Sequence, residues 1–269
     1  MASTRSTPHA YAAASDSAPR ALVRALVVSA ALALVCLWPA AAVRAQQRYS
    51  RSFAPRRNVS LLLKNRSGLI EVQGWARAEI RVTARMESPA ARFTPSLSDD
   101  ALTIDVIGDN RGRDDVGDVN FYIQVPYNSA VDLETARGNI TVRNVRGAHV
   151  RAHVTSEGDI ELTDIRAPKV MAENVTGDIL FDADLLRGGS YVLNSTQGVI
   201  NLRITPGAGF ELTATAPFTR NINLGGFVNL GNFNFQGDSR RVHGHVGDGS
   251  AKIVMTNLRG SINLSPRTR

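Results

Sequence analysis

One short pattern recurs through the sequence and limits its fold more than any other feature. It reads glycine, any residue, isoleucine, any residue, then an aliphatic side chain or Phe. It appears as Gly138-Asn-Ile140-Thr-Val142, Gly158-Asp-Ile160-Glu-Leu162, Gly177-Asp-Ile179-Leu-Phe181 and Gly198-Val-Ile200-Asn-Leu202. These glycines are spaced by 20, 19 and 21 residues, and outlying copies start at Gly68 and Gly260. A second alternating stretch precedes most of the glycines, as Val131 with Leu133, Val170 with Ala172 and Tyr191 with Leu193. The stretch before Gly158 (Val150, Ala152, Val154) carries one extra residue, and further apolar anchors follow at Val145, Ile165 and Leu185.

Alternation over four to six residues marks a half-buried strand. Two short strands in about 20 residues make one coil of a β-solenoid, and a coil buries its inward side chains only by stacking on another. The spacing therefore predicts an all-β, parallel β-solenoid. Ile140, Ile160, Ile179 and Ile200 form one inward column, with Val142, Leu162, Phe181 and Leu202 beside it. The leucine-rich repeat shares the period, but its leucine frame is absent, and no helical pattern follows residue 45. The expected organisation is a signal peptide over 1–45, an N-terminal β segment and cap over 46–130, regular coils over 131–204, and a C-terminal β segment and cap over 205–269.

The leader expectation rests on the uncharged run from Ala25 to Val43, which follows Arg5, Arg20 and Arg24 and ends in Val43-Arg44-Ala45. Small residues at the end of an apolar run mark a signal-peptidase site, here after Ala45. The alternative is an uncleaved membrane anchor, since about 20 apolar residues span a bilayer. The composition, 43% hydrophobic and 20% charged, is globular. The single cysteine, Cys36, lies inside the apolar run, which excludes a disulfide scaffold and cysteine-based zinc. The formal charge of +7 comes from 31 basic and 24 acidic residues. Residues 1–45 hold four of the basic residues and one of the acids, leaving +4 after cleavage. That charge is interleaved with acids and has no aromatic alternation, so nucleic acid is not an expected partner. Membrane contact is expected only through an uncleaved N-terminal segment or the basic ends, Arg48 to Arg57 and Arg267 with Arg269.

Candidate chemistry is sparse. Asp159 and Asp178 follow repeat glycines and are expected to stack on adjacent coils, where paired carboxylates could share a proton or hold a cation. Ordinary turn chemistry on an exposed edge is the simpler account, because the column has no basic, His or Tyr partner at matching positions and ends in Val199. His243 and His245 share one side of a strand, with Asp248 nearby, and His149 and His153 share another. Neither pair reaches the three ligands of a metal site, and no metal or cofactor is expected. Phe218 lies just before Arg220, and Phe227, Phe233 and Phe235 lie in the stretch without charge between Arg220 and Asp238. That stretch reads as a buried cap or an exposed sticky edge. Six Asn-x-Ser/Thr sequons, at Asn58, Asn65, Asn139, Asn174, Asn194 and Asn263, matter only in a glycosylating host.

Three segments in order carry a resemblance. They are Gly68-Leu-Ile-Glu-Val72-Gln-Gly-Trp75, Phe121-Tyr-Ile-Gln-Val-Pro126 and Val131-Asp-Leu-Glu-Thr135-Ala-Arg-Gly138-Asn-Ile140. With Val246-Gly-Asp-Gly-Ser-Ala-Lys-Ile253 and Asn257-Leu-Arg-Gly-Ser-Ile-Asn-Leu264, they make residues 50–265 resemble the bacterial putative-adhesin family, an exported β-strand-repeat family of unknown function. The resemblance implies a parallel β-solenoid exported across or tethered to a membrane, and no catalytic residues. The expected function is a non-enzymatic binding, adhesion or scaffold module at the cell envelope, with an envelope protein, a glycan or a second copy as partner. The alternatives are a carbohydrate-active or glycan-binding β-helix and an envelope-stress sensor.

Overall fold

The computed structural model describes residues 47–55, 59–99 and 101–267. The expected leader, its cleavage site and Cys36 lie outside them, as do Arg56, Arg57, Asn58 and Arg269. Among the described residues, no helix is long and apolar enough to cross a membrane.

The N-terminal part contains β1 (Gln47–Phe53), β2 (Ser60–Ser67), β3 (Ile70–Trp75), β4 (Ile80–Met86), β5 (Ser96–Leu97) and β6 (Ala101–Asp105), then a single helical turn, α1 (Val106–Asp109), and β7 (Val119–Pro126). The repeat supplies β8 (Ala130–Arg137), β9 (Ile140–Arg143), β10 (Val150–Glu157), β11 (Ile160–Ile165), β12 (Lys169–Thr176), β13 (Ile179–Ala183), β14 (Ser190–Gln197) and β15 (Val199–Ile204). The C-terminal part adds β16 (Phe210–Thr215), β17 (Ile222–Asn223), a 3-10 turn at Gly225–Asn229, β18 (Gly231–Gln236), β19 (Arg241–Val246), β20 (Ala251–Asn257) and β21 (Ser261–Pro266).

These strands form two sheets, and both are mixed. The ten-stranded sheet runs β1-β4-β7-β3-β9-β11-β13-β15-β21-β17, and the eleven-stranded sheet runs β18-β19-β16-β20-β14-β12-β10-β8-β2-β6-β5. In the middle the pairing is parallel, as the repeat requires. The two end segments, expected as less regular caps over 46–130 and 205–269, are where the sheets become mixed. β1, β4 and β7 pair antiparallel, as do β16 with β19, β18 with β19, and β5 with β6. Short connections reverse the chain from β5 to β6 and from β18 to β19, and such a reversal makes an antiparallel neighbour, while the other antiparallel pairs are joined through intervening strands.

The layers at both ends are also out of chain order. β2 and β3 sit between the β6/β7 layer and the β8/β9 layer. β20 and β21 sit between the β14/β15 layer and the β16/β17 layer. Both displaced layers carry the outlying copies of the repeat, Gly68 and Gly260.

Register confirms the inward columns. Ile70, Ile140, Ile160, Ile179, Ile200 and Ile262 are successive partners in one sheet, at 0–1% exposure. In the other sheet Leu61, Val131, Val150, Val170, Tyr191 and Ile253 form the facing column, at 0–2%. Each buried aliphatic side chain contributes about 1.5–3 kcal/mol, so the ladders dominate stability. Across the core, the Phe181 and Tyr191 rings pack with centroids 5.6 Å apart. Burial pushes the Tyr191 hydroxyl pKa up, and that oxygen accepts the Leu186 N–H at 2.7 Å.

Candidate functional site

The edge where strands of the larger sheet turn into strands of the smaller one is built from glycine and Asx residues. Gly138 and Gly177 hold φ of 108° and 127°, conformations that L side chains rarely adopt. A Cβ on Gly158 would collide with the carbonyl oxygen of Gly138, and one on Gly177 with that of Gly158. Glycine thus lets adjacent layers touch backbone to backbone.

Beside this column runs a ladder of side-chain acceptors. The Asn139 side-chain oxygen accepts the N–H of Asp159 at 2.9 Å, Asp159 accepts that of Asp178 at 2.8 Å, and Asp178 accepts that of Val199 at 2.8 Å. Asn120 does the same for Leu69 at 2.8 Å. Asp159 and Asp178 do stack as the repeat predicts, and each has an oxygen committed to the next layer.

An open groove of about 560 Å³ lies along this edge. Asp118, Asn120, Arg137, Asn139, Glu157 and Asp159 are among its lining residues, while Asp178 is not. Arg137 and Glu157 are register partners on β8 and β10. Glu157 reaches this place because β10 bulges between Val154 and Glu157, the extra residue visible in the sequence. Arg137, Glu157, Asp118 and Asn120 were not anticipated as site residues. The extra residue was the available signal for Glu157. Nothing in the sequence order announces that the layer bearing Asn120 stacks beyond Gly68.

The other sequence candidates do not converge on this edge. His243 and His245 are exposed on β19, beside Thr213 and Glu211 of β16. His243 Nδ1 lies 3.2 Å from the Thr213 hydroxyl and His243 Nε2 lies 3.9 Å from the Glu211 carboxylate. Asp248 pairs instead with Arg187 at 2.8 Å. Hydrogen bonds from the Ser250 side chain and backbone, and to a lesser extent Arg187, lower the Asp248 pKa against burial, which pushes it up. His153 Nδ1 contacts Arg151 Nη2 at 3.1 Å and lies between Glu134 and Glu173 in register. Among the described residues, no three His, Cys, Asp or Glu side chains are grouped to hold a metal ion.

The phenylalanines divide between the two readings. Phe227 is buried and packs edge-on against Phe210 at 5.7 Å, and Phe233 packs partly buried against the core. Phe218 and Phe235 are exposed. Two sequons are sealed, because Asn65 and Asn174 are buried in the inner corner and donate to backbone carbonyls.

A second charged cluster ties the chain end to the stack. Arg267, following β21, pairs with Asp164, Asp182 and Asp184 from two other layers. The Asp184 pKa is lowered, first by the Thr205 hydroxyl at 2.6 Å and then by Arg166 and Arg267, while burial pushes it up. The three carboxylates raise the Arg267 pKa against the larger single effect of burial, which acts the other way.

No family model matches the chain, and no curated protein matches it. Two solved structures are similar. A putative cell adhesion protein from Clostridium sporogenes ATCC 15579 is 11% identical, with a TM-score of 0.49, covering 82% of this chain and 100% of that one. A putative adhesin from Bacteroides fragilis NCTC 9343 is 10% identical, with a TM-score of 0.37, covering 82% of this chain and 99% of that one.

Proposed function

We propose that this chain is a non-enzymatic binding, adhesion or scaffold module of the bacterial cell envelope. Its two sheets would be the walls of one β-solenoid whose end layers are out of chain order. Export is supported by the apolar run Ala25–Val43 and the small residues at Val43 and Ala45. The partner is an envelope protein or a glycan.

One observation carries this reading. The stacked carboxylates Asp159 and Asp178 are engaged in joining layers, while the groove beside them offers the Arg137 and Glu157 side chains and the amide nitrogens of Asn120 and Asn139, whose oxygens join layers too, to a ligand. Mixed charges and amides along an open trough suit the hydroxyls, amides and carboxylates of an extended polymer. A carbohydrate-active enzyme on the same frame is the second reading. It is favoured by the convergence of Asp118, Glu157 and Asp159 on one groove.

The test is to screen the purified protein on glycan arrays and against envelope fractions, beside Arg137→Ala and Glu157→Gln. Retention on one ligand class, weakened tenfold or more by either substitution (about 1.4 kcal/mol), is the expected result. No retention on any envelope component would remove the reading.

A further inference from the structure

The two sheets end in four edges, and three of them are guarded. β1 presents Arg48 and Arg51, and β5 and β17 are two residues long. Charge and shortness are the usual protections of a strand edge. β18 has neither. It is six residues long, uncharged, and without a partner on its outer side among the described residues. The segment around it also holds the four most exposed large apolar side chains described: Phe218 at 71%, Leu230 at 61%, Phe235 at 45% and Val228 at 44%.

The sequence of β18 is self-complementary. Asn232-Phe233-Asn234-Phe235-Gln236 reads the same in both directions if Asn and Gln count alike as primary amides. Antiparallel pairing centred on Asn234 sets Asn234 against Asn234, Phe233 against Phe235 and Asn232 against Gln236. The faces agree as well. Phe233 and Phe235 share the face of Gly244 and Val242, while Asn232, Asn234 and Gln236 share that of His245, His243 and Arg241. A two-fold axis through Asn234 and normal to the sheet keeps phenylalanines with phenylalanines and amides with amides. A strand from an unrelated protein would place no such demand on the order of these residues.

We propose that β18 pairs antiparallel with β18 of a second copy of this chain, joining two copies end to end in one continuous sheet. Cross-strand aromatic pairs and amide hydrogen bonds would supply specificity. The unprotected edge is then a closed, isologous contact rather than an open one. This inference does not depend on the groove beside Glu157, and its failure leaves that reading intact.

The test is sedimentation equilibrium of the full chain, whose monomer is 29.0 kDa. Asn234 is exposed and faces itself across the axis, so Asn234→Lys and Asn234→Asp each place like charges opposite one another. The expected result is a concentration-dependent dimer that either variant alone weakens tenfold or more. An equimolar mixture of the two variants should regain it, because unlike charges then meet. Circular dichroism checks that each variant keeps its β signal. A wild-type monomer up to about 100 µM, a dimer indifferent to both substitutions, or a mixture that fails to reassociate would each overturn the proposal.

Discussion

The carboxylate of Asp159 accepts the backbone N–H of Asp178 from the neighbouring layer at 2.8 Å. Residues 19 apart in sequence are thus tied by a side chain rather than by the sheet ladder. This makes the acidic column a fastening, and the choice of Asp or Asn there follows from the need for an acceptor. The expected outcome is that Asp159→Asn is nearly neutral, while Asp159→Ala costs about 1 kcal/mol. Urea denaturation of the two variants checks it, and equal losses would show that charge rather than acceptance matters.

Gly177 should tolerate nothing larger. Its φ is 127°, and a Cβ would press on the carbonyl oxygen of Gly158. That obstacle is backbone in the next layer and cannot rotate away. Gly177→Ala is expected to cost about 3 kcal/mol, and Gly158→Val at least as much, through backbone strain and separation of the layers. Thermal denaturation measures both, and an unchanged Tm for either would refute the backbone contact.

Ile179 sits at 0% exposure between Ile160 and Ile200 in register. An aspartate there would have an apolar neighbour on each side, and a buried unpaired charge is strongly destabilising. Ile179→Asp is predicted to abolish cooperative unfolding, whereas Ile179→Val should cost about 1 kcal/mol. A native-like melt of Ile179→Asp would contradict the inward column.

Acid should loosen the Arg267 cluster. Asp184 has a folded-state pKa below its unfolded value, first because of Thr205 and then because of Arg166 and Arg267. A lowered carboxylate contributes stability that is fully present above the unfolded value, about 3.9. That contribution is lost as pH falls through the folded value. Stability measured from neutral pH downward should therefore fall less steeply below about pH 4 in Asp184→Asn than in the parent. Thr205→Ala should shift the loss to higher pH, and identical profiles for all three proteins would exclude the cluster as a source of acid sensitivity.

The repeat made the middle of the fold legible. Ile140 to Ile200 stack in the register that the glycine spacing implies, because side-chain alternation leaves one face to bury. The ends were less legible. Local pattern reports that Ile70 and Ile262 point inward, but not which layer they adjoin, since every layer offers a similar apolar column. Antiparallel pairing of β16 with β19 was equally hidden, because alternation has the same period in either direction. At the candidate site, Asp159 was visible from its motif. Asp118 and Asn120 became neighbours of Arg137 only through the displaced layer, and Glu157 through a bulge. The phenylalanines split because Phe227 had core left to cover, while Phe218 and Phe235 lay beyond it.

The central claim is binding without turnover. The direct measurement is to incubate the purified protein with the envelope polysaccharide it retains, following bound polymer and newly formed chain ends together. The account predicts retention that falls on Arg137→Ala or Glu157→Gln, with no new ends above a protein-free control. Release of new ends by the parent protein, lost in Glu157→Gln or Asp159→Ala, would contradict it and make the groove an active site.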